Sequence, residues 1–495
     1  MLDAIATATS EVFTFSRLTW LFGGVLLGSL VGFVPGIGGR ATLAILLPFI
    51  VKMDPASALV LIVGIHAIGN TADTIPAVLF GIPGSTSATA TVMDGYPMAK
   101  RGEAERALGA SFAASGVGGL IGAFTVLATI PMILPLILTF GNPEFFMTAI
   151  LAIVMIGLLT GGAPVKGLIA GCLGLLIGMI GDAPQTGVQR WVFDQLYLSD
   201  GIPLIPIALG VFAIPELVDM TLGRAGGTKL AGAKLAASVS TKWEGVKDVG
   251  RHWWLLVRSS FLGSWIGILP GIGSGSAIWL AYGHAVQTCK DKDSFGKGDV
   301  RGVIAPEAAN NASDAGDWCL TLAFGIPGSA TMALVLAAML LLGLPPGPKM
   351  LTDHLDLTLI IVWSLVLANL MATGLCFIFT RQLASITKLP VHYLFPVLVV
   401  LIFLAAYQST ANWGDLVTLL VFSVLGISMK RLGWPRPPLI VGIVLQRLAE
   451  TYFFLTMKLY GISWLTRPFV IILFVLIVWT TVHAVMRHAR DKAKA

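Results

Sequence analysis

The sequence predicts an all-α polytopic membrane protein built from two inverted-topology repeats that carry broken or re-entrant helices. Three observations lead there. Of 495 residues, 56% are hydrophobic and 12% are charged, with a mean hydropathy of +0.86, whereas a soluble globular chain carries about 25% charge. The hexapeptide FGIPGS stands at 80–85 and again, letter for letter, at 324–329. The stretch GSLVGFVPGIGG at 28–39 matches GSWIGILPGIGS at 263–274 in seven of twelve positions, at an offset of 235.

The membrane assignment rests on apolar runs at 107–139, 143–160, 202–218, 391–407 and 468–486. Crossing the hydrocarbon core takes about 20 such residues, so the length leaves room for roughly ten to fourteen crossings. The net charge is +6, but the basic residues fall in short loops between apolar runs, as the positive-inside bias requires. That distribution argues for a lipid bilayer and against nucleic acid. Arg224, Lys229, Lys234, Lys242, Lys247 and Arg251 mark one cytoplasmic segment. Arg487, Arg490, Lys492 and Lys494 mark a cytoplasmic tail. Cys172, Cys289, Cys319 and Cys376 are scattered, with no spacing for a disulfide framework or a zinc site, and read as small buried hydrophobes. The opening MLDAIATATSEVF lacks the features of a cleaved signal peptide.

The repeats divide the chain into an N-terminal half (1–222), a basic cytoplasmic linker (223–250), a C-terminal half (251–457) and an extra transmembrane helix with a basic tail (458–495). Loop charges set their relative orientation. Between PGIG and GIPG the first half has only Lys52 in its first connecting loop, whereas the second has Lys290, Lys292, Lys297 and Arg301. After GIPG the bias reverses, with Lys100, Arg101 and Arg106 against Lys349 alone. Corresponding loops therefore face opposite sides, which makes the repeats inverted.

Four helix interruptions occupy matching places: Pro35-Gly36-Ile37-Gly38, Gly81-Ile82-Pro83-Gly84, Pro270-Gly271-Ile272-Gly273 and Gly325-Ile326-Pro327-Gly328. Irregular backbone survives at membrane depth only when buried in protein or lining a polar cavity. Paired discontinuous helices point to a midplane binding site, where the free N–H groups of a half-helix start favour an anion. Candidate anion-binding residues are Gly36, Gly38, Gly39, Arg40, Gly84, Ser85, Thr86, Gly271, Gly273, Asn310, Asn311, Gly328, Ser329 and Thr331. Each hydroxyl can equally cap its own helix. Arg40, whose repeat partner is Gly275, can clamp a carboxylate or snorkel to headgroups. Gly24, Gly28 and Gly32, and likewise Gly263 and Gly267, recur every four residues as helix-packing ridges. A phosphate loop is excluded, because no Walker lysine follows.

An aspartate precedes each GIPGS glycine by eight residues, Asp73 and Asp317. With Asn70, Asp314, Asn310 and Asn311 they form an oxygen-rich set suited to a hard cation such as sodium, or to a proton. Asn70, Asp73, Asp314 and Asp317 are the candidate cation-coupling residues. No cofactor and no structural metal are expected beyond the coupling ion. Arg447 and Glu450, three apart on one helix, are expected to pair with each other.

Several of these stretches resemble a known family. PEAANNA at 306–312, GIPGSAT at 325–331, the two PGIG motifs and MDGYPMAKRGEAERAL at 93–108 are similar to the large membrane subunit of tripartite tricarboxylate transporters, the TctA family. The likeness runs over roughly 20–460. It implies a multi-pass subunit of the bacterial inner membrane, working with a small four-helix membrane subunit and a periplasmic solute-binding protein. It also implies organic carboxylates, citrate among them, as substrates and an ion gradient, sodium, as driving force. A homodimer is compatible with this. The chain departs from the family at Gly81, where members often have asparagine, and in the approach His66-Ala67-Ile68-Gly69-Asn70-Thr71-Ala72-Asp73. The substrate is therefore not fixed as citrate. Rocking and an elevator slide both fit two inverted repeats, and analogy with other carriers favours the slide. The rival readings are a passive anion channel and a membrane-embedded hydrolase with Asp73 and Asp317 as its carboxylate dyad.

Overall fold

A computed structural model describes residues 2–32, 38–81, 83, 85–159, 163–221, 241–270, 273–386 and 391–494. The first half runs through α1 (Leu2–Val12), α2 (Phe15–Gly32), α3 (Gly38–Ile50), α4 (Pro55–Ala72), α5 (Thr74–Phe80), a 3-10 turn (Thr86–Ala88), α6 (Val92–Lys100), α7 (Ala104–Ile137), α8 (Asn142–Leu159) and α9 (Pro164–Gly178). A small hairpin of β1 (Gly181–Asp182) and β2 (Gln189–Arg190) comes next, then α10 (Leu204–Ala208), a π-helical turn (Leu209–Ala213) and α11 (Ile214–Thr221). The second half comprises α12 (Lys242–Arg251), α13 (Trp253–Gly267), α14 (Gly273–Thr288), α15 (Arg301–Phe324), α16 (Ala330–Leu341), α17 (Pro348–Leu351), α18 (Leu355–Ile386), α19 (Val391–Tyr407), α20 (Trp413–Arg431), α21 (Pro437–Tyr460) and α22 (Pro468–Lys494).

Among the described residues six helices are long and apolar enough to cross a bilayer, or seven if α1 and α2, bent by 65°, count as one span. That is fewer than the ten to fourteen crossings the length allows. The reason is local. Gly and Pro breaks cut several apolar runs into helices of 10–17 residues, such as Pro164–Gly178 and Ala330–Leu341, which are too short to span alone.

The duplication runs through the packing. Helix α2 lies on α4, and α13 lies on α15. The four-residue glycine ridges form both contacts. A Cβ at Gly24 would stand 2.3 Å from the Leu61 carbonyl oxygen, and one at Gly263 would stand 2.3 Å from that of Ala309. The halves also exchange partners: α7 packs on α15, and α18 packs on α4. Neither half buries its own polar helix alone.

Side-chain contacts at the helix ends fix the inversion. Arg101, in the loop after the first GIPG, donates to the Gly298 carbonyl, in the loop after the second PGIG. Arg106 pairs with Asp248 of α12 at 2.6 Å, and Arg381 near the end of α18 pairs with Glu105 at 3.2 Å. One face thus gathers the post-GIPG loop of one half and the post-PGIG loop of the other, which parallel repeats joined by the single span α4–α5 would place on opposite faces. Arg17 and Asp54, 2.6 Å apart, tie the start of α2 to the end of α3, so that pair enters and leaves on one face. Within the basic loop, burial pushes the Asp299 carboxyl up, but hydrogen bonds from Arg301 and Ser294 outweigh it and hold it below the usual carboxylate range.

Two further expectations are corrected. Glu450 does not pair with Arg447; it accepts both arms of Arg190 at 3.0 Å each, because the hairpin carries that guanidinium across to α21. Cys319 and Cys376 are buried, but Cys172 is exposed and Cys289 half-buried, since α9 turns that face outward. Within and just past the basic segment read as a linker, Lys242–Arg251 forms α12, packed on α7.

Candidate functional site

The hexapeptide FGIPGS is a stop signal joined to a start signal. Helix α5 ends at Gly81 with φ +68°, and α15 ends at Gly325 with φ +67°. This left-handed conformation is the usual glycine C-cap. The proline two residues on has no N–H to continue the ladder. The serine then caps the next turn, with Ser85 accepting from the Ser87 N–H at 3.0 Å and Ser329 from the Met332 N–H at 3.3 Å. Capping is therefore the role of these two hydroxyls toward the backbone.

Each copy folds back on the aspartate before it. Ser85 and Ser87 donate to one oxygen of Asp73 at 2.5 and 2.8 Å. In the second half a Cβ at Gly328 would lie 2.0 Å from Asp317 Oδ1, so only glycine lets the backbone pass. Asp73 sits at the junction of α4 and α5, where Pro76 cannot donate to the Ala72 carbonyl. Asp317 sits inside the continuous α15.

The two aspartate neighbourhoods meet across the repeat interface. Asn70 donates to Asp314, its own counterpart in the other half at an offset of 244. Asn310 donates to the Asn70 carbonyl at 3.0 Å. Asn311 donates to Thr71 and to Asn369 at 3.0 and 2.8 Å. The cation-coupling candidates Asn70, Asp73, Asp314 and Asp317 thus come together with Asn310 and Asn311. All three aspartates are at most 4% exposed. Four buried oxygens there have no hydrogen-bond partner: Asp73 Oδ1, Asn310 Oδ1, Asn311 Oδ1 and Asp317 Oδ1. Among the described residues no Lys or Arg pairs with Asp73, Asp314 or Asp317; the basic side chain near Asp314 is His66, at 3.8 Å. Buried oxygens without donors, and buried carboxylates without cations, are costly. The arrangement can therefore take up a cation or protons. Among the described residues no three of His, Cys, Asp and Glu group as for a metal centre; amides and hydroxyls make up the oxygen set.

The anion-binding candidates divide. Gly273, with φ +61°, opens α14 beside Gly328 and Ser329, and Gly275 lies against Thr86, 3.5 Å from where its Cβ would be. The second PGIG therefore touches both GIPGS regions. Thr86 is exposed, and Ser329 and Thr331 are half-buried. Gly38 and Gly39 open α3. Gly36, Gly84, Gly271 and the side chain of Arg40 lie outside the described residues. One expectation is corrected: the first GIPGS opens only a three-residue 3-10 turn, not a half-helix, because Thr-Ser-Ala-Thr-Ala-Thr at 86–91 is a poor helix former.

Sequence reasoning assigned no role to Glu307 and His66. Glu307 is fully buried on α15 and accepts from Thr74 at 2.9 Å, Thr91 at 2.5 Å and Ser115 at 3.0 Å, all in the first half. The spacing 307, 310, 311, 314, 317 marks one helical face, and that stripe was the available signal.

The chain matches a family model described as the tripartite tricarboxylate transporter TctA family over residues 18–441. It is 32% identical over 436 residues to an uncharacterized 52.8 kDa protein in the TAR-I ttuC' 3' region of Agrobacterium vitis, which covers 88% of this chain and 86% of that protein. A second protein of Agrobacterium vitis, uncharacterized and in the TAR-II ttuC' 3' region, is 32% identical over 190 residues, 38% of this chain and 78% of that protein. No solved structure matches the chain.

Proposed function

We propose that this chain, which belongs to the tripartite tricarboxylate transporter TctA family, is the large subunit of a secondary transporter that imports organic di- or tricarboxylates on a sodium gradient. It works in the bacterial inner membrane with a small membrane subunit and a periplasmic solute-binding protein. One observation carries the reading: both GIPGS copies fold back on buried aspartates, and Asn70, Asn310 and Asp314 join the two neighbourhoods across the repeat interface, where four oxygens lack donors. A cation entering there completes the oxygen set and offsets the charge of an anion held at the helix starts of α14 and α16. Neither then binds well alone, and that mutual dependence is the coupling. The rigid glycine-ridge packing of α2 on α4 and of α13 on α15 lets each pair move as a unit.

The test is uptake of radiolabelled di- and tricarboxylates into proteoliposomes that hold both membrane subunits, with the binding protein outside. Uptake should require an inward sodium gradient and vanish with a sodium ionophore. Uptake down the anion's own gradient without sodium would identify a passive channel. Uptake that follows a proton gradient instead would move the coupling to protons, a role His66 beside Asp314 is placed to share.

A further inference from the structure

Residues 181–203 join α9 to α10 on the face opposite the basic loops. Helix α7 leaves that basic face at Arg106 and ends near Glu144, which pairs with Arg467 at 2.6 Å on the far side. Helix α8 returns, and Lys166 at the start of α9 donates to the Leu432 carbonyl just past α20. Helix α9 leads from there to the hairpin segment, whose Tyr197 reaches Asp415 at the start of the spanning helix α20, the end opposite Leu432.

Two half-buried clamps hold the segment. Arg190 donates both arms to Glu450. The Tyr197 hydroxyl meets Asp415 and Thr418 at 3.0 Å each, and Asp415 is fully buried. Between the clamps Trp191, Phe193 and Asp194 have φ of 53°, 50° and 56°, the left-handed region that bulky residues avoid. The strain gains no burial: Trp191 is 50%, Phe193 75% and Leu196 90% exposed. Strain that is held by its surroundings and presents apolar side chains marks a binding surface.

Charge selects the occupant. The segment carries Asp182, Asp194 and Asp200, all exposed, against one basic residue, Arg190, which Glu450 neutralises. A bilayer anchor relies on free Lys or Arg toward anionic headgroups, and this crest has none. A soluble protein with an apolar socket ringed by Lys and Arg complements it.

We propose that Trp191, Phe193 and Leu196 are the docking crest for the transporter's solute-binding protein; this rests on the transport reading above. The experiment titrates the binding protein against proteoliposomes holding the full transporter. Phe193→Ser with Leu196→Ser, and separately Asp194→Lys, should each raise the half-saturating binding-protein concentration about tenfold or more while the maximal rate stays near wild type. An unchanged half-saturation in both variants overturns the proposal. In the same vesicles a photo-cross-linking residue at position 193 should capture the binding protein, whereas one at Leu459, 62% exposed, should not. Capture of lipid alone at 193 makes the crest a bilayer anchor and overturns the docking role. The two readings fail separately: wild-type vesicles without gradient-driven uptake defeat the transport reading, and cross-linking reports docking whatever the rate.

Discussion

The two FGIPGS copies are identical in sequence and differ in outcome. Both end a helix at a left-handed glycine. The second then opens α16, twelve residues that read Ala-Thr-Met-Ala-Leu-Val-Leu-Ala-Ala-Met-Leu-Leu. The first opens only a 3-10 turn at Thr86–Ala88. The hexapeptide fixes the break, and the composition after it decides whether a helix resumes: Ala, Leu and Met lose little freedom in becoming helical, whereas alternating Thr and Ser compete for their own backbone. The aspartates differ in step. Asp73 has two serine donors on one oxygen, whereas Asp317 has one serine, Ser329, and the close-packed backbone of Gly328 against it. Near-identical text thus builds two unequal walls, one polar and turn-like, the other a helix start.

The largest expected effect breaks the second wall. Pro327→Ala with Gly328→Ala allows α15 to continue and drives a Cβ into Asp317, so uptake should fall about a hundredfold or more with the protein still inserted. Pro83→Ala with Gly84→Ala should cost less, because the threonine-rich stretch resists helix. Equal losses in paired uptake measurements would erase the asymmetry.

Next is the cation. Asp317→Asn should raise the half-saturating sodium concentration for uptake about tenfold, while Asp291→Asn, in the loop before α15, should leave it unchanged. A sodium titration in which both variants match wild type removes Asp317 from coupling.

Glu307→Ala leaves three hydroxyls of the other half unpaired and should lower stability by about 3 kcal/mol, read as a shifted unfolding midpoint in detergent, with Glu307→Gln losing less. A full wild-type midpoint in the alanine variant would show that the halves are not stapled there. Ser329→Ala removes the cap of α16 and should cost about 1 kcal/mol; Ser85→Ala should alter sodium dependence as well, since Ser85 also holds Asp73.

The smallest effect is a pH dependence of the basic loop. The Asp299 carboxyl is held below its unfolded range. Its contribution is therefore present above the unfolded pKa and drains away as pH falls through the lower, folded value. Proteolysis at 290–300 should quicken on acidification in wild type and lose that dependence in Asp299→Asn.

Much of the candidate site was readable from residues. Repeated text located the breaks, and eight-residue spacing singled out Asp73 and Asp317. Four-residue glycines identified the contacts of α2 and α13. What escaped depended on partners distant in the chain. Glu307 has meaning only beside Thr74, Thr91 and Ser115, and Glu450 met Arg190 rather than Arg447, because a hairpin 260 residues away in sequence reaches it.

By itself the sequence determined the membrane class, the duplication, the places where helix must stop, and the opposed loops that make the halves inverted. Each of these comes from local chemistry: hydropathy over a span, a proline without its N–H, a glycine free to turn left-handed, and charge beside a bilayer. Only the tertiary structure decided that α7 would lie on α15 and α18 on α4, that Asn70 would meet Asp314, and that four oxygens would be left without donors. Those outcomes depend on which distant surfaces close together, and the balance of donors against acceptors at such a contact is a property of the assembled pair.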